Sequence, residues 1–207
     1  MLTSDRNIYM YENNILAKRD IFKQKCDVLQ SGIWYLENHK VWITAGADYA
    51  LRTYAFGGDQ KSTSIYDKAL LASHTSNITD VAEIMVPKLV ATSSLDGLIK
   101  LWDLTDKYVL AEVKDASTKR GVRGLTYSYD YGGNLLSYGF ENHINVWCPE
   151  VSTSRPYVGR LEGHSSTIVS CRFVPGSPNC ISFDEKGNLR IWDIRIMTTV
   201  QVITADQ

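Results

Sequence analysis

The stretch Leu98-Ile99-Lys100-Leu101-Trp102-Asp103 decides how this chain is read, because it returns as His143-Ile144-Asn145-Val146-Trp147 and as Leu189-Arg190-Ile191-Trp192-Asp193. Trp147 follows Trp102 by 45 residues, and Trp192 follows Trp147 by the same 45. Alternation of apolar and polar side chains ahead of an aromatic is the pattern of a half-buried β-strand. Two weaker copies come earlier: Leu51-Arg52-Thr53-Tyr54, with Tyr54 48 residues before Trp102, and Ile8-Tyr9-Met10-Tyr11, with Tyr11 43 residues before Tyr54. A fixed period of tens of residues predicts one supersecondary unit used repeatedly, each copy burying its faces against its neighbours.

A second landmark keeps the same register. His74 stands 28 residues before Trp102, and His164 stands 28 before Trp192. Between each His and its Trp lie two apolar or alternating runs with turn residues between them, such as Pro87-Lys88 and Asp96-Gly97. That order predicts three short antiparallel strands per repeat, joined by tight turns.

The period, the Gly163-His164 dipeptide and the Trp102-Asp103 and Trp192-Asp193 dipeptides resemble the WD-repeat family over essentially the whole chain. The resemblance implies an all-β fold of β-propeller blades. Four full WD repeats are expected, at about 13–60, 61–106, 107–150 and 151–207, after part of a preceding blade at 1–12. Propellers hold about 4 to 8 blades, so the segment 1–207 is expected to be an incomplete ring, either a fragment of a longer propeller or a subunit completed by another chain.

The resemblance also implies how the polar residues connect, through a chain of hydrogen bonds linking the His, a hydroxyl, an Asp and the Trp indole. In the second full repeat these would be His74, Ser93 or Ser94, Asp96 and Trp102. The physical motive is that a buried indole N–H needs an acceptor. In the fourth repeat Lys186 stands in the place of Asp96, with Asp184 and Ser182 just before it, which predicts a rewired network around His164 and Trp192. In the third, Lys119 stands where the His would be before Trp147, and in the first Tyr54 replaces the Trp while Asp48 is kept. Those two blades are expected to be held mainly by apolar packing.

The same residues make the tempting catalytic sets. His74, Asp96 and Ser94 have the composition of a nucleophilic triad, but a triad needs its Ser open in a cleft beside oxyanion donors. Their membership of a repeated motif predicts a structural role, so no catalytic residue is assigned. No cofactor or metal site is assigned either: His39 and His143 fall in predicted turns where a solvated His is expected, and Gly132-Gly133 reads as a hairpin turn rather than a phosphate loop. The acidic residues Asp67, Asp80 and Asp184-Glu185 lack an EF-hand spacing.

Composition narrows the partners. Twenty-two basic and 23 acidic residues give a net charge of −1, too little for a field that draws nucleic acid or an anionic membrane. Cys26, Cys148, Cys171 and Cys180 show no CxxC spacing and are expected to be reduced, packing as small hydrophobes. The N-terminus lacks the layout of a signal peptide and no window approaches the ~20 apolar residues of a membrane span. A cytoplasmic, intracellular protein without a membrane partner is expected.

What remains is a non-catalytic scaffold for protein–protein interaction. A narrower resemblance, carried by residues 131–141, Val146-Trp147-Cys148-Pro149-Glu150 and residues 158–164, is to the large WD-repeat proteins of ciliary and flagellar axonemes, some with EF-hands. It implies a structural component of the axoneme, bound to microtubules or their associated complexes, with tubulin or axonemal subunits as partners. The competing classes are a substrate-recruiting adaptor of a ubiquitin ligase and a chromatin-associated reader; for the latter only Lys119-Arg120 with Arg123 approaches a basic cluster. The polar stretches 57–64, 114–120 and 150–156 are expected to link one blade's Trp strand to the next blade. Arg120, Arg123, Arg155, Tyr157 and Arg160, in or beside them, have the chemistry that interface hot spots prefer and are the candidate partner contacts.

Overall fold

The computed structural model describes residues 7–12, 15–23, 30–55, 74–104, 108–113 and 120–204. Cys26, Lys119 and the stretch 57–64 lie outside them, as does most of 114–120. The chain divides into two compact units, 1–78 and 79–207.

In the first unit, β1 (Asn7–Glu12) pairs with β2 (Ile15–Lys23), and β3 (Gln30–Leu36), β4 (Val41–Gly46) and β5 (Leu51–Ala55) form an antiparallel sheet in chain order. The expected turn at His39 joins β3 to β4, with Lys40 at φ 51°. In the centre of β4, Ile43, Thr44 and Ala45 are fully buried.

The second unit holds three four-stranded antiparallel sheets, each ordered as the chain runs. The first consists of β6 (Ile78–Ile84), β7 (Leu89–Ser94), β8 (Ile99–Asp103) and β9 (Tyr108–Val113). The next consists of β10 (Val122–Ser128), β11 (Asn134–Gly139), β12 (His143–Trp147) and β13 (Tyr157–Glu162), with the one-turn α1 (Asp130–Gly133) between β10 and β11. The last consists of β14 (Ile168–Phe173), β15 (Asn179–Asp184), β16 (Leu189–Asp193) and β17 (Thr198–Ile203). We call these the second, third and fourth sheets, after the repeats that dominate them, and β3–β5 the first. Among the described residues the fold class is the expected one: all-β, in antiparallel blade-like sheets.

Each of these three sheets ends one strand beyond its Trp strand. The fourth strands β9 and β13 therefore fall past the repeat boundaries expected at 106 and 150, in the stretch first given to the following repeat. The reason is pairing: the Trp strand has two edges, one taken by the strand before it, and the next segment of chain hydrogen-bonds to the other. Residues 150–156 accordingly connect β12 to β13 within one sheet, rather than one blade to the next as expected.

The sheets of the second unit pack on each other through apolar faces. Ile84, Leu89, Ala91, Ile99 and Leu101 of the second meet Val122, Leu125, Leu135 and Trp147 of the third. Leu136, Tyr138, Ile144, Val146 and Leu161 of the third meet Ile168, Cys171, Cys180, Trp192 and Ile194 of the fourth. Alternate residues of β11 thus serve opposite interfaces, Leu135 one and Leu136 the other, as the two-residue period of a strand requires. Both faces of a middle strand are covered, which is why β7 and β12 are buried along their whole length. Cys148, Cys171 and Cys180 are buried free thiols. Polar ties cross the same interfaces: Thr79 Oγ1 donates to the Val122 carbonyl at 2.7 Å, and Asp80 Oδ2 accepts from the Leu125 N–H at 2.9 Å.

At the turn before β11, Tyr131, Gly132 and Gly133 have φ of 58°, 97° and 62°, the left-handed conformations glycine adopts without strain. The pair serves backbone geometry there, as the sequence predicts.

Candidate functional site

The fourth sheet carries a connected polar assembly. Trp192, on β16, donates its indole N–H to Ser182 Oγ of β15 at 2.7 Å, and the same oxygen lies 2.6 Å from Nε2 of His164. His164, on the connection from β13 to β14, places its other ring nitrogen 3.0 Å from Asp184 Oδ2. One assignment of protons satisfies every atom: the indole donates to the hydroxyl, the hydroxyl to Nε2, and Nδ1–H to the carboxylate. Asp184 Oδ1 in turn accepts the backbone N–H groups of Lys186 and Asn188, at 3.0 and 2.8 Å, and both its oxygens accept from the Asn188 side chain.

The environment tunes both titrating groups. Burial pushes His164 below its ordinary pKa and outweighs the opposing pull of Asp184. For Asp184, burial alone would raise the pKa, but the hydrogen bonds from Asn188 and His164 together bring it down to about 2. The ground state is a neutral imidazole on an ionised carboxylate.

In the fourth repeat Asp184 and Ser182, the residues just before Lys186, make the network around His164 and Trp192, and Lys186 gives Asp184 only a backbone N–H. The sheet register corrects one expectation. In the second sheet the acceptor for Trp102 is Thr92 Oγ1, at 2.8 Å, rather than Ser93 or Ser94. Ser93 instead meets Thr79 Oγ1 at 2.9 Å, and Ser94 stands eight residues before its Trp, the place of Asp184. Asp96 caps its own turn, accepting from the Leu98 N–H at 2.9 Å. His74 is buried just ahead of β6.

The third sheet keeps the indole bond. Trp147 donates to Ser137 Oγ at 2.9 Å, so packing there is not purely apolar. His143, expected in a solvated turn, opens β12 and is buried, because the turn ends one residue earlier. Sequence reasoning missed Thr92 and Ser137, yet a signal was present: Thr92, Ser137 and Ser182 each stand ten residues before their Trp. In the first sheet Asp48 pairs with Arg52, whose guanidinium holds the carboxyl below its usual range.

Ser182, His164 and Asp184 have the connectivity of a hydrolytic triad, but the His and Asp side chains have no exposed area and the Ser oxygen is already shared with an indole. A substrate carbonyl has no route to that oxygen, and the group ties the β13–β14 connection to β15 and β16.

The candidate contact residues divide. Arg123, on β10, is half-exposed and lies 3.6 Å from Glu185 in the β15–β16 turn; Arg120 is exposed just before it. Arg155 is exposed on the β12–β13 connection. Tyr157 and Arg160 sit on β13 rather than in a loop: the Tyr157 ring packs edge-on against Trp147, centroids 5.2 Å apart, and its hydroxyl accepts from Arg160 Nε at 3.2 Å. Arg155, Tyr157 and Arg160 therefore share one outer edge, beside exposed Val151 and Val158. Outward-facing Val200, Val202 and Ile203 line β17.

Two stretches, residues 65–103 and 155–193, match the family described as WD domain, G-beta repeat. Among curated proteins the chain is 30% identical over 136 residues to cilia- and flagella-associated protein 337 B of Tetrahymena thermophila, covering 65% of this chain and 10% of that one. It is 35% identical over 137 residues to the nuclear distribution protein nudF of Emericella nidulans, covering 64% and 30%. It is 29% identical over 143 residues to mouse striatin-4, covering 61% and 19%. The chain thus spans under a third of the length of each of these relatives.

Proposed function

The chain is built of WD repeats, and on that premise we propose that it is a non-catalytic scaffold whose outer strands and connecting loops bind other proteins. The observation that carries this reading is the burial of the Ser182–His164–Asp184 set, side chains capable of chemistry that are consumed in holding a sheet. What the described residues offer to solvent is different in kind: arginines, tyrosines and aliphatic side chains on strand edges. Exposed apolar and forked cationic groups of this sort suit protein partners.

The finer reading is a structural component of the ciliary axoneme, cytoplasmic and bound to microtubules or their associated complexes. The likeness to a cilia- and flagella-associated protein supports it, and a charge near neutrality argues against nucleic acid. A ubiquitin-ligase adaptor or a chromatin reader is the alternative.

The test is affinity purification of the tagged full-length protein from its native cells, with imaging of its position and co-sedimentation with taxol-stabilised microtubules. Axonemal localisation with tubulin or axonemal subunits in the eluate is expected. A cullin-type ligase or histones in their place would overturn the ciliary reading, and a catalytic turnover by the purified chain would overturn the scaffold.

A further inference from the structure

In four sheets a hydroxyl on the second strand stands directly opposite a residue two positions before the aromatic of the third strand. The pairs are Thr44 with Arg52, Thr92 with Lys100, Ser137 with Asn145 and Ser182 with Arg190. Three of the four partners are cations, and each finds an acceptor on its own chain. Arg52 pairs with Asp48, Lys100 Nζ lies 2.8 Å from Glu112 Oε1, and Arg190 Nη1 donates to Thr199 Oγ1 at 3.3 Å. In the third sheet the place is held by the short, neutral Asn145.

A cavity of about 10 Å³, open at one side, lies beside it, lined by Gly121, Ser137, Gly139, Glu141, His143 and Asn145 among others. Asn145 is 3% exposed, and its Oδ1 is a buried acceptor with no hydrogen-bond partner. The chain cannot fill this space from position 139, where the fourth sheet has Asp184: a Cβ on Gly139 would come within 2.7 Å of the Arg123 backbone nitrogen. Arg160, opposite Asn145 on β13, turns its guanidinium to Tyr157 and Glu162. The lining brings together an unmet acceptor, Asn145 Oδ1, and a carboxylate, Glu141, and the room is that of one water-sized group.

We propose that this cavity receives the ammonium head of a lysine side chain from a protein partner, with Asn145 Oδ1 accepting from it and Glu141 supplying the negative charge. An ammonium is a compact three-donor point charge, whereas a planar guanidinium is too large for the space. The partner's lysine takes the position that Lys100 takes in the second sheet. The inference rests on the reading of the chain as a protein-binding scaffold.

Methylammonium chloride is the probe, titrated into the isotopically labelled full chain and followed by NMR, with tetramethylammonium chloride at equal ionic strength as the control. Saturable shifts at Gly121, Gly139 and the Asn145 side-chain amide are expected with the first salt and none with the second. Asn145→Lys should abolish them by filling the cavity from within; should that variant not fold, Glu141→Gln should weaken the apparent affinity at least threefold. Equal or non-saturating shifts with both salts would mean that the cavity holds water, and would overturn the proposal. So would a titration seen only in Lys119→Met, which would make the chain's own lysine the occupant. No saturation in a protein that still captures partners fails this site and leaves the scaffold reading standing; saturation in one that captures none fails the scaffold reading, and with it the source of the lysine.

Discussion

Ser182→Ala is the sharpest perturbation of the fourth sheet, because one atom serves two buried groups. Ser182 Oγ accepts the Trp192 indole N–H at 2.7 Å and lies 2.6 Å from His164 Nε2, and all three residues are buried. Removing it strands a donor and an acceptor, each costing about 1–3 kcal/mol when unmet. The expected loss is thus about 2–6 kcal/mol. Ser137→Ala strands the Trp147 indole, for which Ser137 is the acceptor, and should lose about 1–3 kcal/mol. Both variants are to be measured by urea denaturation at pH 7.5, reading midpoint and slope separately so that a change in the unfolded state is not mistaken for one in the network. A double variant with His164→Phe completes a cycle: once the imidazole is gone, Ser182→Ala should cost about 1 kcal/mol less than it does alone. A loss for Ser182→Ala no greater than that for Ser137→Ala, or strict additivity in the cycle, would refute the shared-atom reasoning.

Acid should weaken the chain in two stages. The folded pKa of His164 lies below its unfolded value of 6.5, so the unfolded state takes up that proton first and stability falls as pH drops below about 6.5; His164→Phe should remove this stage from a pH series of denaturation midpoints. Asp184, at about 2 against 3.8, contributes stability that is present above about 4 and lost as pH falls towards 2, worth about 2 kcal/mol and absent in Asp184→Asn. Gly163→Ala should cost about 2 kcal/mol or more, since its φ is 152° and the new Cβ would stand 2.8 Å from Arg190 Nη1; Gly176→Ala, with φ 67° and nothing within 4 Å, should cost about 1 kcal/mol by the same melting assay. Tyr157→Ala combined with Arg155→Glu should reduce partner capture at least tenfold while moving the melting temperature by only a few degrees, because both side chains are exposed.

How much is legible in the sequence differs from element to element. The 45-residue spacing of Trp102, Trp147 and Trp192 locates three Trp strands unaided, because burying an indole between sheets once per unit leaves a periodic mark. The same periodicity points to Thr92, Ser137 and Ser182 only when it is joined to the strand register. Ser93 and Ser94 are equally good acceptors chemically; Ser93 is excluded by direction, since successive side chains on β7 point to opposite faces and Thr92 stands on the face that Trp102 shares, while Ser94 is on that face but two residues further along, where its hydroxyl accepts the Asp96 N–H of the turn. The candidate contacts are legible as residue types and not as a surface, since Tyr157 and Arg160 read only as lying in or beside a loop and it is the pairing of β13 with β12 that puts them on a strand.

By itself the amino-acid sequence determined the repeat, the strand type and the residues that need a buried partner, all of which follow from spacing and from the chemistry of single side chains. The tertiary structure decided which partner each one finds, that each sheet of the second unit takes its fourth strand from beyond the Trp strand, that His143 is buried, and that Asn145 lines a cavity where its counterparts carry a charge. Those outcomes depend on cross-strand register and on the packing of one sheet upon the next, and both arise from residues far apart in the chain competing for the same edge or the same space.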